Sequence, residues 1–131
     1  MTSKEKGAKA EKEVENIYKN RGYFVMRAKR SMKPIYIQGK TRYVSQDNDF
    51  FNLFDICAKN KEGETVWIQV KTGISNVSKA KRDIEFKQEY FEVDLLEIWA
   101  RIKNKGYKVY LYDGDDWNVT NCNFKGEIIR K

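Results

Sequence analysis

An aspartate, an amide and a lysine carry the spacing in this chain that fits chemistry. Residues 50–58 (FFNLFDICA) and 65–71 (TVWIQVK) flank the turn NKEGE and read as two antiparallel strands. Pairing residues whose numbers sum to 124 places Lys59 opposite Thr65, Cys57 opposite Trp67 and Asp55 opposite Gln69. Opposed side chains have Cβ atoms about 4.5–5.5 Å apart. Lys71, two residues beyond Gln69, returns to the same face. A slip of one residue would turn Asp55 away from the other two. A carboxylate and an ammonium inside apolar strands are costly unless they are paired or hold a metal. Two readings follow. In the first, Asp55 and Lys71 form a salt bridge with Gln69 hydrogen-bonding beside it. In the second they form a site for a hard cation such as Mg²⁺, which takes oxygen ligands and keeps several waters. Asp55 would supply a carboxylate, Gln69 an amide oxygen and Val70 a backbone carbonyl. Lys71 would orient or deprotonate a water and stabilise charge growing on a phosphorus centre. Hydrolysis of a phosphodiester would use all of these parts.

Composition narrows the chemistry. The chain has 131 residues and no histidine, which removes Ser-His-Asp and Cys-His catalysis and every histidine-containing zinc site. Its two cysteines, Cys57 and Cys122, make neither a four-cysteine zinc site nor a disulfide framework, so a reducing, cytoplasmic setting is expected. No apolar run is long enough to span a membrane. The net charge of +7 is unevenly spread: residues 1–45 hold twelve Lys and Arg against four Glu, and the remainder is close to neutral. A one-sided positive field suits a polyanion, and nucleic acid is the commonest.

The elements that must position these residues fit one domain over residues 1–131. Ala10, Val14, Ile17 and Tyr18 recur at helical spacing, so 4–21 reads as a helix stopped by Gly22; Gly7 lies near the same face and is expected to permit close packing. Residues 23–29 read as a strand. Residues 30–48 contain the sole proline, a Gly-Lys turn and many polar residues. They read as a basic excursion from the core, with IYIQ and RYVS as arms of a hairpin around Gly39. Residues 72–78 form a loop and 79–91 a helix. Residues 94–113 fit either a helix or a strand at their start, but NKG followed by YKVYLYD favours a hairpin. A short strand is expected to close the tail. Trp67, Trp99, Tyr107, Tyr110 and Tyr112 are expected to pack the sheet or a dimer face, and Cys57 to belong to the core.

Asp55, thirteen residues, then Gln69-x-Lys71 on a hairpin resembles the PD-(D/E)XK nuclease core. Phe54 stands at the proline position and Gln69 at the acidic one. The segment GAKAEKEVENIYKNRGYFVMRAKRS is similar to the opening of archaeal Holliday junction resolvases, and the likeness extends through WIQVKTG, KRD and IWARIKNKGYKVYLYD. The resemblance implies a restriction-endonuclease-like α/β fold, with a mixed central sheet flanked by helices. It implies a Mg²⁺-dependent endodeoxyribonuclease, with Mn²⁺ as substitute, that acts on four-way or other branched DNA in recombination and repair. It also implies that Glu11 joins the metal site; Glu13, at a similar angle on the other flank of the apolar stripe, reads as part of a solvated helix face. Ser31 takes the place of the family's active-site serine, although twenty-three residues separate it from Asp55, so Ser45 or Asn48 are alternatives. Arg27, Lys29, Arg30, Lys33, Lys40 and Arg42, with Ser31 among them, are the expected DNA contacts. Resolving a junction needs two symmetric cuts, hence a homodimer. A general duplex endonuclease of the same fold and a non-catalytic nucleic-acid-binding module on a nuclease core are the alternatives.

Overall fold

Thr2 opens the first element in the computed structural model, which describes residues 2–28, 30–47, 49–51 and 53–129, with side chains except at positions 3, 4, 30–33, 35 and 42–47. Its Oγ1 accepts the Glu5 N–H at 3.2 Å, and Glu5 Oε2 accepts the Thr2 N–H at 3.1 Å. This reciprocal cap satisfies two donors that the helix start leaves open. Helix α1 runs Ser3–Asn20, and Gly22, at φ +90°, ends it. Ala10, Val14, Ile17 and Tyr18 are buried along one stripe, as the spacing predicts.

Gly7 does not serve close packing. A Cβ placed there meets nothing within 4 Å, so the missing side chain faces open space. Gly106 is the contrast: its φ is +139° and a Cβ would lie 2.0 Å from the Cys122 carbonyl oxygen. Glycine inside a helix costs about 0.5–1 kcal/mol relative to alanine. Gly7→Ala is therefore expected to stabilise the fold by about that amount, read as a higher denaturant midpoint. A lower midpoint would mean that the site is crowded after all.

Six strands form one sheet in the order β1 (Phe24–Arg27), β4 (Ile56–Lys59), β5 (Thr65–Thr72), β6 (Leu95–Ile102), β7 (Gly106–Tyr112), β8 (Trp117–Cys122). Only β5 and β6 run parallel. The connection between them carries helix α2 (Val77–Phe86) and a 3-10 turn, Gln88–Phe91, a shorter helix than the 79–91 expected. The β4–β5 register is Cys57 with Trp67 and Lys59 with Thr65, as the turn requires. The 94–113 segment is the expected hairpin. β2 (Arg30–Ile37) and β3 (Lys40–Asp47) pair with each other as a separate two-stranded sheet around Gly39.

The sheet is packed on both faces. Val14, Ile17 and Tyr18 of α1 cover Ile56, Ile68 and Trp99 on one side, while Val77, Ala80 and Ile84 of α2 cover Leu96, Ile98 and Ala100 on the other. Tyr107 and Tyr110 are buried in these two layers. Glu97 is buried beside Tyr18 and Trp99, accepting the Tyr18 O–H and, at 2.8 Å, the Trp99 indole N–H. Burial pushes its carboxyl above the usual range. Arg21 lies over both rings, 5.0 and 5.5 Å from their centres.

Phe50, Phe51, Leu53 and Phe54 do not extend the strand. Phe51 sits at φ +57°, and the Phe50 carbonyl accepts from Leu53 and Phe54 N–H groups, each at 3.0 Å. The apolar run reports burial rather than extension: Phe51 and Phe54 pack edge-on against Phe91, at 5.4 and 5.3 Å between ring centres, beside Trp67.

Candidate active site

Asp55 lies one residue before β4, pinned on both sides by its backbone. Its N–H donates to the Ile68 carbonyl at 2.9 Å and its carbonyl accepts the Ala28 N–H at 2.8 Å. The ladder ends at Ile56 with Ile68, so the next step sets Asp55 opposite Gln69. The side chain reaches forward instead of outward: Oδ2 accepts the Val70 N–H at 2.7 Å. In a strand the N–H and C=O of one residue point to the same side. The Val70 carbonyl is therefore directed toward Asp55 rather than toward β6.

Gln69 Oε1 is buried without a hydrogen-bond partner. An unsatisfied buried acceptor costs about 1–3 kcal/mol. Lys71 is half-buried on the same strand. Among the described residues the ion pairs join Glu15 to Lys19 and Arg27, Glu11 to Arg27, and Glu13 to Arg101; Asp55 and Lys71 are not joined. That removes the salt-bridge reading in its direct form. Lys71 acts on Asp55 only as a nearby charge.

The Asp55 carboxyl is pushed up to about 7. Burial is the main cause; the Val70 N–H opposes it, Glu11 and Asp49 add repulsion, and Lys71 relieves part of it. Glu11, on α1, thus does stand within electrostatic reach of Asp55. Asp49 escapes sequence reasoning. The only signal was an acid at the end of the basic excursion, six residues before Asp55.

The other singled-out residues fall in different places. Arg27 lies against Glu11, 4.0 Å from Nη2 to Oε1, and Glu15, 3.5 Å from Nη1 to Oε1, at the rim of the acidic cluster. Lys40 is exposed where β3 begins. Lys29 and Asn48 lie outside the described residues, as do the side chains of Arg30, Ser31, Lys33, Arg42 and Ser45. Glu13 is not on a solvated face. It accepts from Arg101 Nε at 2.9 Å and from the Tyr107 hydroxyl at 2.5 Å. Burial opposes its ionisation, but these two partners outweigh it and hold the carboxyl below the usual range. Cys57, expected in the core, is only half-buried at the sheet, whereas Cys122 is the buried cysteine; burial still pushes the Cys57 thiol up, which does not suit a nucleophile.

Among the described residues no group of three or more His, Cys, Asp or Glu side chains is gathered for a metal ion. The donors present are of another kind: the Asp55 carboxylate, the unpartnered Gln69 oxygen, the Val70 carbonyl and, nearby, Glu11. This oxygen set fits a hard divalent cation that holds one or two carboxylates and keeps its remaining waters. An orphaned acceptor beside a carboxylate crowded by two like charges is relieved by a cation. No family model, curated protein or solved structure matches the chain. No helix among the described residues is long and apolar enough to cross a membrane.

Proposed function

We propose that the chain is a divalent-metal-dependent DNA endonuclease with a PD-(D/E)XK core on a restriction-endonuclease-like sheet, acting as a homodimer on Holliday junctions or other branched DNA. One observation carries the reading: the buried, unpartnered Gln69 oxygen opposite a carboxylate that burial, Glu11 and Asp49 all disfavour in its charged form. A purely structural pair would satisfy its own hydrogen bonds. Asp55, Gln69 and the Val70 carbonyl would hold Mg²⁺ or Mn²⁺, with Glu11 contributing directly or through water.

The ion, when bound, supplies Lewis acidity toward the scissile phosphate and lowers the pKa of an attacking water. The Val70 N–H fixes one Asp55 oxygen, which leaves the other free to act as a ligand. Lys71, on the same face of β5 as Gln69, orients the water and stabilises negative charge that grows as the phosphorus is attacked. Arg27, braced by Glu11 and Glu15, sits between this cluster and the β2–β3 arm, where a DNA phosphate would exchange places with a carboxylate partner.

Gln69 also favours a second reading. An amide brings no charge, so a nuclease core that has lost catalysis and keeps only nucleic-acid binding would carry such a residue. Cleavage of four-way junction, flap and linear duplex DNA under Mg²⁺ or Mn²⁺ separates the two. Faster cutting of the junction is expected. Equal rates on all three would make the chain a general endonuclease. Binding without cutting in either metal would leave the module.

A further inference from the structure

The arm is not the only concentration of positive charge. A cleft of about 350 Å³ lies between α1 and the ends of β5 and β6, lined by Lys6, Lys9, Thr72, Gly73, Arg101 and Lys103. We propose that this cleft seats the phosphate backbone of nucleic acid, as a second contact on the far flank of α1. The inference rests on the nucleic-acid part of the reading above and is independent of hydrolysis.

The charge in the cleft is only partly compensated, because Glu13 pairs with Arg101 and acts on Lys9 as a nearby charge. Arg101 is committed to Glu13 and lies over the Phe124 ring at 4.5 Å. Lys6, Lys9 and Lys103 are exposed and have no ion pair among the described residues. No carboxylate lines the cleft; Glu13 is taken by Arg101 and Tyr107, and Glu5 by the cap at Thr2. Three ammonium groups around one concavity repel one another, and a polyanion relieves that repulsion while releasing its own counterions. The Thr72 hydroxyl adds a neutral partner for a phosphate oxygen.

Position favours a nucleic-acid strand over an acidic peptide. Lys6 and Lys9, three apart on α1, share one flank with Glu13, whereas Glu11 faces the Asp55 side. The two flanks of a helix are about 10 Å apart, so a strand crossing the first turns of α1 reaches both the cleft and the carboxylate cluster. Gly7 lies one turn before Glu11 on the Asp55 side, and the open space beside it leaves room for that crossing. Thr72 directly follows Lys71, which ties the cleft to the strand that carries the site.

The test is DNA binding in EDTA, so that cleavage does not enter, measured as the slope of log K against log salt. Two double variants are compared: Lys9→Gln with Lys103→Gln in the cleft, and Lys59→Gln with Lys61→Gln at the β4–β5 turn, the opposite end of β5. Each true phosphate contact contributes about 0.9 to the slope. The cleft pair is expected to lower it by about 2 and the turn pair to leave it unchanged, with unaltered melting temperatures in both. A wild type that binds while both pairs behave alike overturns the cleft and spares the wider reading. A wild type that binds no duplex, junction or single strand overturns both.

Discussion

Asp55→Asn is expected to abolish cleavage and divalent-metal binding while leaving the fold as stable as before, or more so at neutral pH without metal. The substitution keeps the shape. The new amide oxygen accepts the Val70 N–H that Asp55 now takes at 2.7 Å, and its N–H groups add donors at a position opposite Gln69 by register. It also removes a buried charge that Glu11 and Asp49 repel. DNA binding should hold or tighten, because a negative charge near phosphates is lost. Lys71→Ala is expected to spare metal binding and slow the chemical step by about a hundredfold or more, the scale of losing a general catalyst or a charge stabiliser. Gln69→Glu should tighten metal binding and retain activity. If Asp55 served only the fold, truncating it would instead leave the Val70 N–H without its acceptor, at about 1–3 kcal/mol. The paired measurement is melting temperature and single-turnover cleavage on each variant. An unfolded Asp55→Asn, or one that still cuts, would remove Asp55 from the chemistry.

The part of the site set by strand geometry was legible before any coordinates. A five-residue turn between two alternating strands leaves one register in which Cys57 meets Trp67, and that register alone sets Asp55 opposite Gln69. The helix stripe of α1 and the β6–β7 hairpin followed from periodicity and from the Asn-Lys-Gly turn for the same reason: the signal is local. What stayed hidden depends on partners far along the chain. Nothing local marks Glu97 for burial, and it is buried because Tyr18, 79 positions away, donates to it. Glu13 and Glu11 flank the apolar stripe at similar angles, and only Arg101 and Tyr107 on one side and Asp55 on the other distinguish them. The 50–54 run misled because aromatic residues pack as well in a turn as in a strand.

Stability should depend on pH and metal together. Asp55 has an ordinary pKa near 3.8 and one of about 7 in the fold. Between those values the folded chain holds a proton that the unfolded chain has released. Stability from this group is therefore fully present below about pH 4 and is lost as pH rises to about 7, by as much as about 4 kcal/mol at 1.36 kcal/mol per unit. Glu97, also raised by burial, adds to the loss with the same sign, and Glu13, held low by Arg101, acts oppositely at acid pH. A divalent cation bound as proposed would compete with the proton on Asp55 and neutralise the repulsion from Glu11 and Asp49. Mg²⁺ or Mn²⁺ at a hundred times its dissociation constant adds about 2.7 kcal/mol to a fold that alone binds it. The melting temperature should therefore rise on adding metal at pH 8 and hardly change at pH 5, where Asp55 is protonated. Asp55→Asn isolates the group from Glu97 and Glu13, because it should erase the metal response at both pH values and flatten the decline between pH 4 and 7. A metal-induced shift of equal size at pH 5 and pH 8, or one that survives in Asp55→Asn, would place the ion elsewhere and leave Gln69 an unexplained orphan.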